Sequence, residues 1–277
     1  MPELPEVETI RRQLALVAEG QMIVAAQVAR ARAVRAHRSI EDFVQAVTGR
    51  TIHAVRRRGK VLLLPLDDDH SLLIRLGMSG KVIVAVADEA LVPHTYVVLR
   101  LSNGRELRYI DPRTFGQVAV VDGHDPAQMI ELGHYGVEPL SEEFTPLVLR
   151  ELMQGRRALV QAVLMDQTRV VGIGKIYADE SCFQAGIDPR RGSDTLNAAE
   201  VERLHAAIRE VLTRAIEARG TSGQDGAYRD ARGSLGSFQH QLQVYQRAGA
   251  PCRACGTPVE FRPLQGRRMH FCPKCQR

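Results

Sequence analysis

The chain has 277 residues, 44% of them apolar, with 37 lysines and arginines against 32 acidic residues and a net charge of +5. That length holds two compact units plus a small appendage, each able to bury a core. No apolar run approaches the roughly 20 residues of a membrane span, and no charged-then-apolar leader opens the chain, so the expectation is a cytosolic protein with no membrane partner.

In PELPEVETIRRQLALVAEG, Leu4, Val7, Ile10 and Leu14 recur at helical spacing. Pro5 suits the first turn, Glu6 and Glu8 complement the helix dipole, and Gly20 can end the helix. The next hundred residues break into short β-rich segments: IVAAQVAR, TIHAVRR, KVLLLPL, SLLIRL, KVIVAV, TYVVLRL, RELRYI and QVAVV. Asn103-Gly104 between two of them is a hairpin turn, and the spacing predicts an antiparallel sandwich or barrel. Beyond about residue 125 the periodicity becomes helical, over 142–154, 156–166, 174–185 and 198–219. The last carries Leu204, Ile208, Leu212 and Ile216 on one face, with Asn197 and Glu200 as a capping pair. From Gly220 to Gly236, GTSGQDGAYRDARGSLG has the composition of a mobile loop. No internal repeat is present.

The placement of charge says more than its sum. Residues 248–277 hold six basic side chains against Glu260 alone, and Arg30 to Lys60 holds nine against Glu41 and Asp42. Two separate basic surfaces point to a polyanion, nucleic acid first, where the alternative is a pair of solvated faces. Only four of the 37 cations are lysines, which suits phosphate recognition by forked guanidinium groups or simply follows genomic base composition.

Cys252, Cys255, Cys272 and Cys275 form two C-x-x-C knuckles separated by 16 residues. Four thiolates at this spacing close a tetrahedron around zinc with no open position, a structural site in preference to a redox pair or an iron–sulfur cluster. So small a hairpin needs the metal in order to fold. Gly266, Arg267 and Arg268 fall at the tip of such a ribbon, and Cys182 reads as a buried helix residue.

Five segments in colinear order, PELPEVET, LGMSG (76–80), YIDPRTFG (109–116), MDQTRVVGIGKIYADE (165–180) and HFCPKCQ, closely resemble the bacterial formamidopyrimidine-DNA glycosylases, bifunctional enzymes that remove 8-oxoguanine and ring-opened purines. The resemblance implies an α+β fold: an N-terminal helix with an antiparallel β-sandwich over 1–125, a helix-two-turns-helix domain over 126–219, a lesion-capping loop and linker over 220–247, and a zinc ribbon over 248–277. It implies a monomer that holds double-stranded DNA containing damaged bases in a cleft between its halves, in the bacterial cytoplasm.

The same resemblance assigns residues. The initiator methionine is removed in the family, and the exposed nitrogen of Pro2 is the nucleophile. A terminal amine titrates near about 8 and lysine near about 10.4, so roughly a tenth of the former and under about a thousandth of the latter carries a free lone pair at neutral pH. A secondary amine also forms an iminium that stays charged at any pH, which keeps the electron sink for elimination switched on. Glu3 matches the carboxylate that passes protons at the sugar. Lys60 matches a lysine that assists 3′ elimination, and Arg267 the ribbon-tip arginine at the phosphate beside the lesion, with Arg268 its rival. A base inside the stack must be extruded and its gap filled; Met78, Arg113 and Phe115 match the three wedge residues, although from the residues alone Met78 and Phe115 read as core. His94 and Arg156 match DNA-contact positions.

The chain also departs from the pattern. Arg75 stands where the family usually has histidine and Lys175 where it has asparagine, so phosphate binding should be kept with a steeper salt dependence. Gln161 replaces a common lysine and Thr114 a common basic residue. PELPEVE in place of PEGPE favours the oxidised-purine branch over the related endonuclease VIII group, which prefers oxidised pyrimidines. The presence of Pro2, Glu3 and Lys60 together argues against a catalytically silent damage-binding module.

Overall fold

The computed structural model describes residues 2–130, 132–154, 158–223, 226–264 and 267–277. They form two compact units. One comprises Met1–His134 with Ala218–Ser237, the other Tyr135–Glu217 with Phe238–Arg277. No helix among the described residues is long and apolar enough to cross a membrane.

The first unit begins with α1 (Leu4–Ala18), whose Val7, Ile10, Leu14 and Ala18 are fully buried at the spacing the sequence predicts. Its core lies against two four-stranded sheets. One has the order β1 (Ile23–Val28), β6 (Thr95–Leu101), β7 (Arg105–Ile110), β5 (Lys81–Val86); the other has β2 (Arg56–Arg58), β3 (Val61–Pro65), β4 (His70–Arg75), β8 (Gln117–Asp122). Every pairing is antiparallel, so the predicted sandwich is present. Asn103-Gly104 makes the β6–β7 hairpin, with Gly104 at φ 78°. The predicted strand TIHAVRR shrinks to β2, because Thr51 makes only an isolated bridge with Met22.

One core joins both sheets: Val82, Val97, Leu99, Leu107 and Tyr109 from the first meet Leu62, Leu64, Leu72, Ile74 and Val118 from the second. Two further contributors escape the sequence reading. Within the basic stretch lies α2 (Ile40–Val47), capped by the Ser39 hydroxyl accepting from Asp42 N at 3.1 Å, with Phe43 and Val47 in the core. Tyr228 and Ala231, far along the chain, enter the same core, and the Ala231 carbonyl accepts from Val84 N at 2.8 Å. The segment whose composition suggests mobility is therefore tied down over its second half: buried Asp230 accepts from Gln13, Arg219 and the amides of Arg232 and Ser234.

The second unit holds α3 (Pro146–Met153), α4 (Val160–Met165), α5 (Lys175–Ala185) and α6 (Ala198–Glu217), followed by a hairpin of β9 (Glu260–Leu264) and β10 (Arg267–Phe271). α3 starts four residues later than expected because Thr145 caps it and Pro146 takes its first position. The Asn197–Glu200 capping pair is formed in both directions, at 3.0 and 2.9 Å. α5 is buried nearly all round, Cys182 included, and carries two acidic side chains inward. Glu180 accepts the amides of Gln243, Val244 and Tyr245 at 2.8 to 2.9 Å, and Asp179 accepts both the amide and ring Nδ1 of His270. Burial pushes both carboxyls up against these hydrogen bonds. Gln161, where a lysine was the common alternative, donates to the other Asp179 oxygen. Through these bonds α5 organises the linker and the ribbon.

Candidate nucleic-acid and catalytic site

Pro2 and Glu3 are buried at the start of α1, Glu3 only 4% exposed. The Glu6 carboxylate accepts from Glu3 N at 2.8 Å through one oxygen and from Thr221 N at 2.7 Å through the other. The sequence reading gave Glu6 only a helix-start role; the signal for more was a carboxylate at a position the helix buries. α1 starts directly after these two residues, so the positive end of its dipole lies beside them.

Lys60 follows Gly59 in the turn between β2 and β3, half-buried. That hairpin is joined to α1 by Glu8, which accepts from Arg11 and Arg12 at 2.9 to 3.0 Å and from Arg57 Nε at 3.2 Å. Against the upward push of burial, these hydrogen bonds and the Arg57 charge hold the Glu8 carboxyl below its usual value. Pro2, Glu3 and Lys60 thus sit on linked elements of one unit.

Two loops of the same unit carry the three expected wedge residues. Met78 is 43% exposed and Phe115 50%, which corrects the reading of both as core. The Arg113 guanidinium lies 5.0 Å from the Phe115 ring centroid. Buried Asp111 binds the loops together: one oxygen accepts from Ser79 Oγ at 2.6 Å, the other from Gly116 N at 2.8 Å and Tyr109 Oη at 3.1 Å. Ser79 Oγ in turn accepts from Arg113 N at 3.1 Å. Burial and the Asp111 charge push the Tyr109 phenol up, so it remains a donor. Gly77, at φ 61°, lies so close to Gly116 that a Cβ would fall 2.7 Å from its nitrogen. Ser79 and Asp111 were not singled out from sequence; their signal is a small hydroxyl and a carboxylate inside two segments that must meet.

Arg75 ends β4, half-buried, and its carbonyl accepts from Tyr109 Oη at 3.4 Å. His94 stands exposed at φ 68° before β6, its Nδ1 3.0 Å from Tyr96 Oη, and Arg30 reaches the same hydroxyl at 3.3 Å. The sandwich unit therefore presents Arg30, His94, Arg113, Phe115 and Met78 on exposed or half-exposed loops.

In the helical unit Lys175 opens α5 after Gly174, its Nζ 5.2 Å from the Tyr245 ring centroid. A lysine at a helix N-terminus adds a full charge to a dipole end already suited to phosphate. Arg267 opens β10, paired through its backbone with Leu264, and Arg268 lies against the Phe261 ring. Arg156 lies outside the described residues.

The ligand atoms of Cys252, Cys255, Cys272 and Cys275 all lie within 4.8 Å of one another, with Sγ–Sγ distances of 3.9 Å for Cys252–Cys275 and 3.5 Å for Cys255–Cys272. A tetrahedral ion with metal–sulfur bonds of about 2.3 Å has edges of about 3.8 Å. The Thr257 hydroxyl and amide hold the Cys255 thiol down to about 6, whereas burial and the neighbouring thiols push Cys275 up to about 12. The four sulfurs are thus grouped at the spacing of a closed tetrahedral metal site.

Family models for the formamidopyrimidine-DNA glycosylase N-terminal domain and H2TH domain match residues 1–118 and 135–226. A formamidopyrimidine-DNA glycosylase of Geobacillus kaustophilus is 43% identical over 277 residues, all of both chains. The crystal structure of the MutM (Fpg) protein from Thermus thermophilus superposes with a TM-score of 0.87 at 41% identity, covering 99% of this chain and 98% of that one. A Lactococcus lactis Fpg mutant in complex with a Fapy-dG containing DNA gives a TM-score of 0.91 at 33% identity over the whole of both chains.

Proposed function

Since this chain belongs to the formamidopyrimidine-DNA glycosylase family, we propose that it excises 8-oxoguanine and formamidopyrimidines from duplex DNA with the Pro2 nitrogen as nucleophile. It is a DNA glycosylase of base-excision repair, and lyase activity is a general property of its family. The observation that supports the residue assignment is the arrangement at the chain start: Pro2 and Glu3 buried at the positive end of α1, with the Glu3 amide held by Glu6.

With Met1 removed, the Pro2 lone pair attacks C1′ of an extruded nucleotide, the bond to the base breaks, and the base leaves with a proton. The sugar ring opens as the nitrogen forms an iminium, and Glu3 passes the protons this requires. Loss of a C2′ proton then expels the 3′ phosphate, assisted by Lys60, and a second elimination expels the 5′ phosphate, assisted by Arg267. Met78 and Phe115 fill the vacated stack while Arg113 bonds the partner base. His94 and Arg156 contact the DNA, Arg75 and Lys175 bind phosphates, and Cys252, Cys255, Cys272 and Cys275 would hold one structural zinc ion that lets the ribbon fold.

Borohydride trapping on an 8-oxoguanine·cytosine duplex, with mass mapping of the cross-linked peptide, tests this. The adduct is expected on Pro2. A cross-link on Lys60, or none, refutes the assignment.

A further inference from the structure

Three consecutive carbonyls of the wedge loop, those of Thr114, Phe115 and Gly116, all accept hydrogen bonds from two arginines of one turn. Arg32 Nε donates to Thr114 O at 3.2 Å, and Arg35 donates to Gly116 O at 2.5 Å and Phe115 O at 3.4 Å. Arg35 also donates to Arg32 O at 3.2 Å, which ties the pair together. The turn has its own anchors. Ala33 and Val34 are buried in the sandwich core, and His37 Nε2 accepts from Val120 N at 3.0 Å. That bond leaves the His37 proton on Nδ1, which faces Asp42 at 3.3 Å.

The loop has reason to need holding. Thr114, a β-branched residue, sits at φ 56°, in the left-handed region such residues avoid. Asp111 fixes the loop from one side through Gly116 N, and the arginines fix it from the other through the carbonyls. On charge alone Arg32 and Arg35 belong to a phosphate-binding face, but their directed N–H groups point at the backbone of the loop that carries Arg113 and Phe115.

We infer that Arg35, with Arg32, is a specificity-determining positioning residue: it clamps the wedge loop so that Arg113 meets the partner base of the extruded lesion at a fixed place. The inference rests on the wedge reading of Arg113 and Phe115 given above. Cytosine offers the guanidinium two acceptors, N3 and O2, whereas adenine sets an amino donor beside its N1, so a fixed Arg113 favours cytosine and a loosened one discriminates less. Lysine keeps the charge of Arg35 but cannot span two carbonyls with a rigid fork.

The test measures single-turnover excision of 8-oxoguanine opposite cytosine and opposite adenine, together with the salt dependence of duplex binding, for the parent, Arg35→Lys, Arg35→Met, Arg32→Lys and Arg113→Ala. Arg35→Lys is expected to lower the cytosine-over-adenine ratio by about tenfold while the salt slope stays at the parent's value, and Arg32→Lys to lower it by a smaller factor. A parental ratio in Arg35→Lys overturns the inference. So does an Arg35→Met variant that binds both duplexes more weakly with a slope reduced by about one unit and an intact ratio, which is the signature of a phosphate contact. Arg113→Ala separates the two levels of argument. If it leaves the ratio unchanged, the wedge reading fails; if it lowers the ratio and Arg35→Lys does not, only the clamp fails.

Discussion

Replacing Gly77 by alanine strikes the junction of the two wedge loops. At φ 61° an L-residue costs about 1–2 kcal/mol more than glycine, and the new Cβ would lie 2.7 Å from Gly116 N and 2.9 Å from Phe115 C. Both neighbours are backbone atoms, so no rotamer change relieves the contact. Regaining an ordinary separation parts the loops by roughly 0.7 Å, and since a misplacement of about 1 Å can cost about a hundredfold in rate, the expected loss in base excision is about ten- to fiftyfold. Single-turnover release of 8-oxoguanine from a duplex measures it, alongside strand cleavage at a preformed abasic site. The abasic site has no base to extrude, so cleavage there should fall by less than about threefold. Equal losses on both substrates, or no loss on either, would refute the argument that these loops act in extrusion.

Lys175→Asn should flatten the salt dependence of DNA binding by about 0.9 log units per log unit of salt, as expected for one fewer phosphate contact; equal slopes in a salt titration exclude that contact. Chelation should release one zinc per chain by metal analysis and abolish hydrogen-exchange protection across β9 and β10, with retention of protection after metal loss counting against a structural ion. Glu8→Gln should cost about 1–3 kcal/mol at pH 7, where the ionised carboxylate accepts from three arginines. Because the folded state holds that carboxyl below its ordinary value of 4.5, the difference from the parent is fully present above pH 4.5 and vanishes as pH falls through the folded-state value. Denaturant titrations at pH 7 and pH 3 check this, and an undiminished difference at pH 3 would sink it.

What the sequence disclosed is what local physics decides. Alternating β-branched segments with Asn103-Gly104 between them and the Asn197–Glu200 cap each specify their structure within a few residues and appear as read, and the two C-x-x-C knuckles bring their four sulfurs to metal-binding distance. α2 was hidden because a helix of eight residues sits inside a stretch whose dominant signal is charge, although Ser39 three residues before Asp42 is a capping pattern. Glu6, Ser79 and Asp111 were missed for a different reason. Glu6 bonds Thr221, 215 residues away, and Ser79 and Asp111 bond each other across 32 residues, so only the fold brings these partners within bonding distance. Met78 and Phe115 illustrate a third case: from the residues alone they read as core, it is the resemblance carried by LGMSG and YIDPRTFG that marks them as wedge residues, and both are exposed.

Residues 218–237 follow α6 in sequence yet complete the β-sandwich core with Tyr228 and Ala231. A gene fragment ending after His134 would therefore encode a sandwich lacking part of its interior, and one beginning at Tyr135 would carry an orphaned piece of it. The polypeptide cannot be partitioned by a single cut, so recombination that exchanges one half for a foreign one must also transplant this distant insert or leave a hole behind α1.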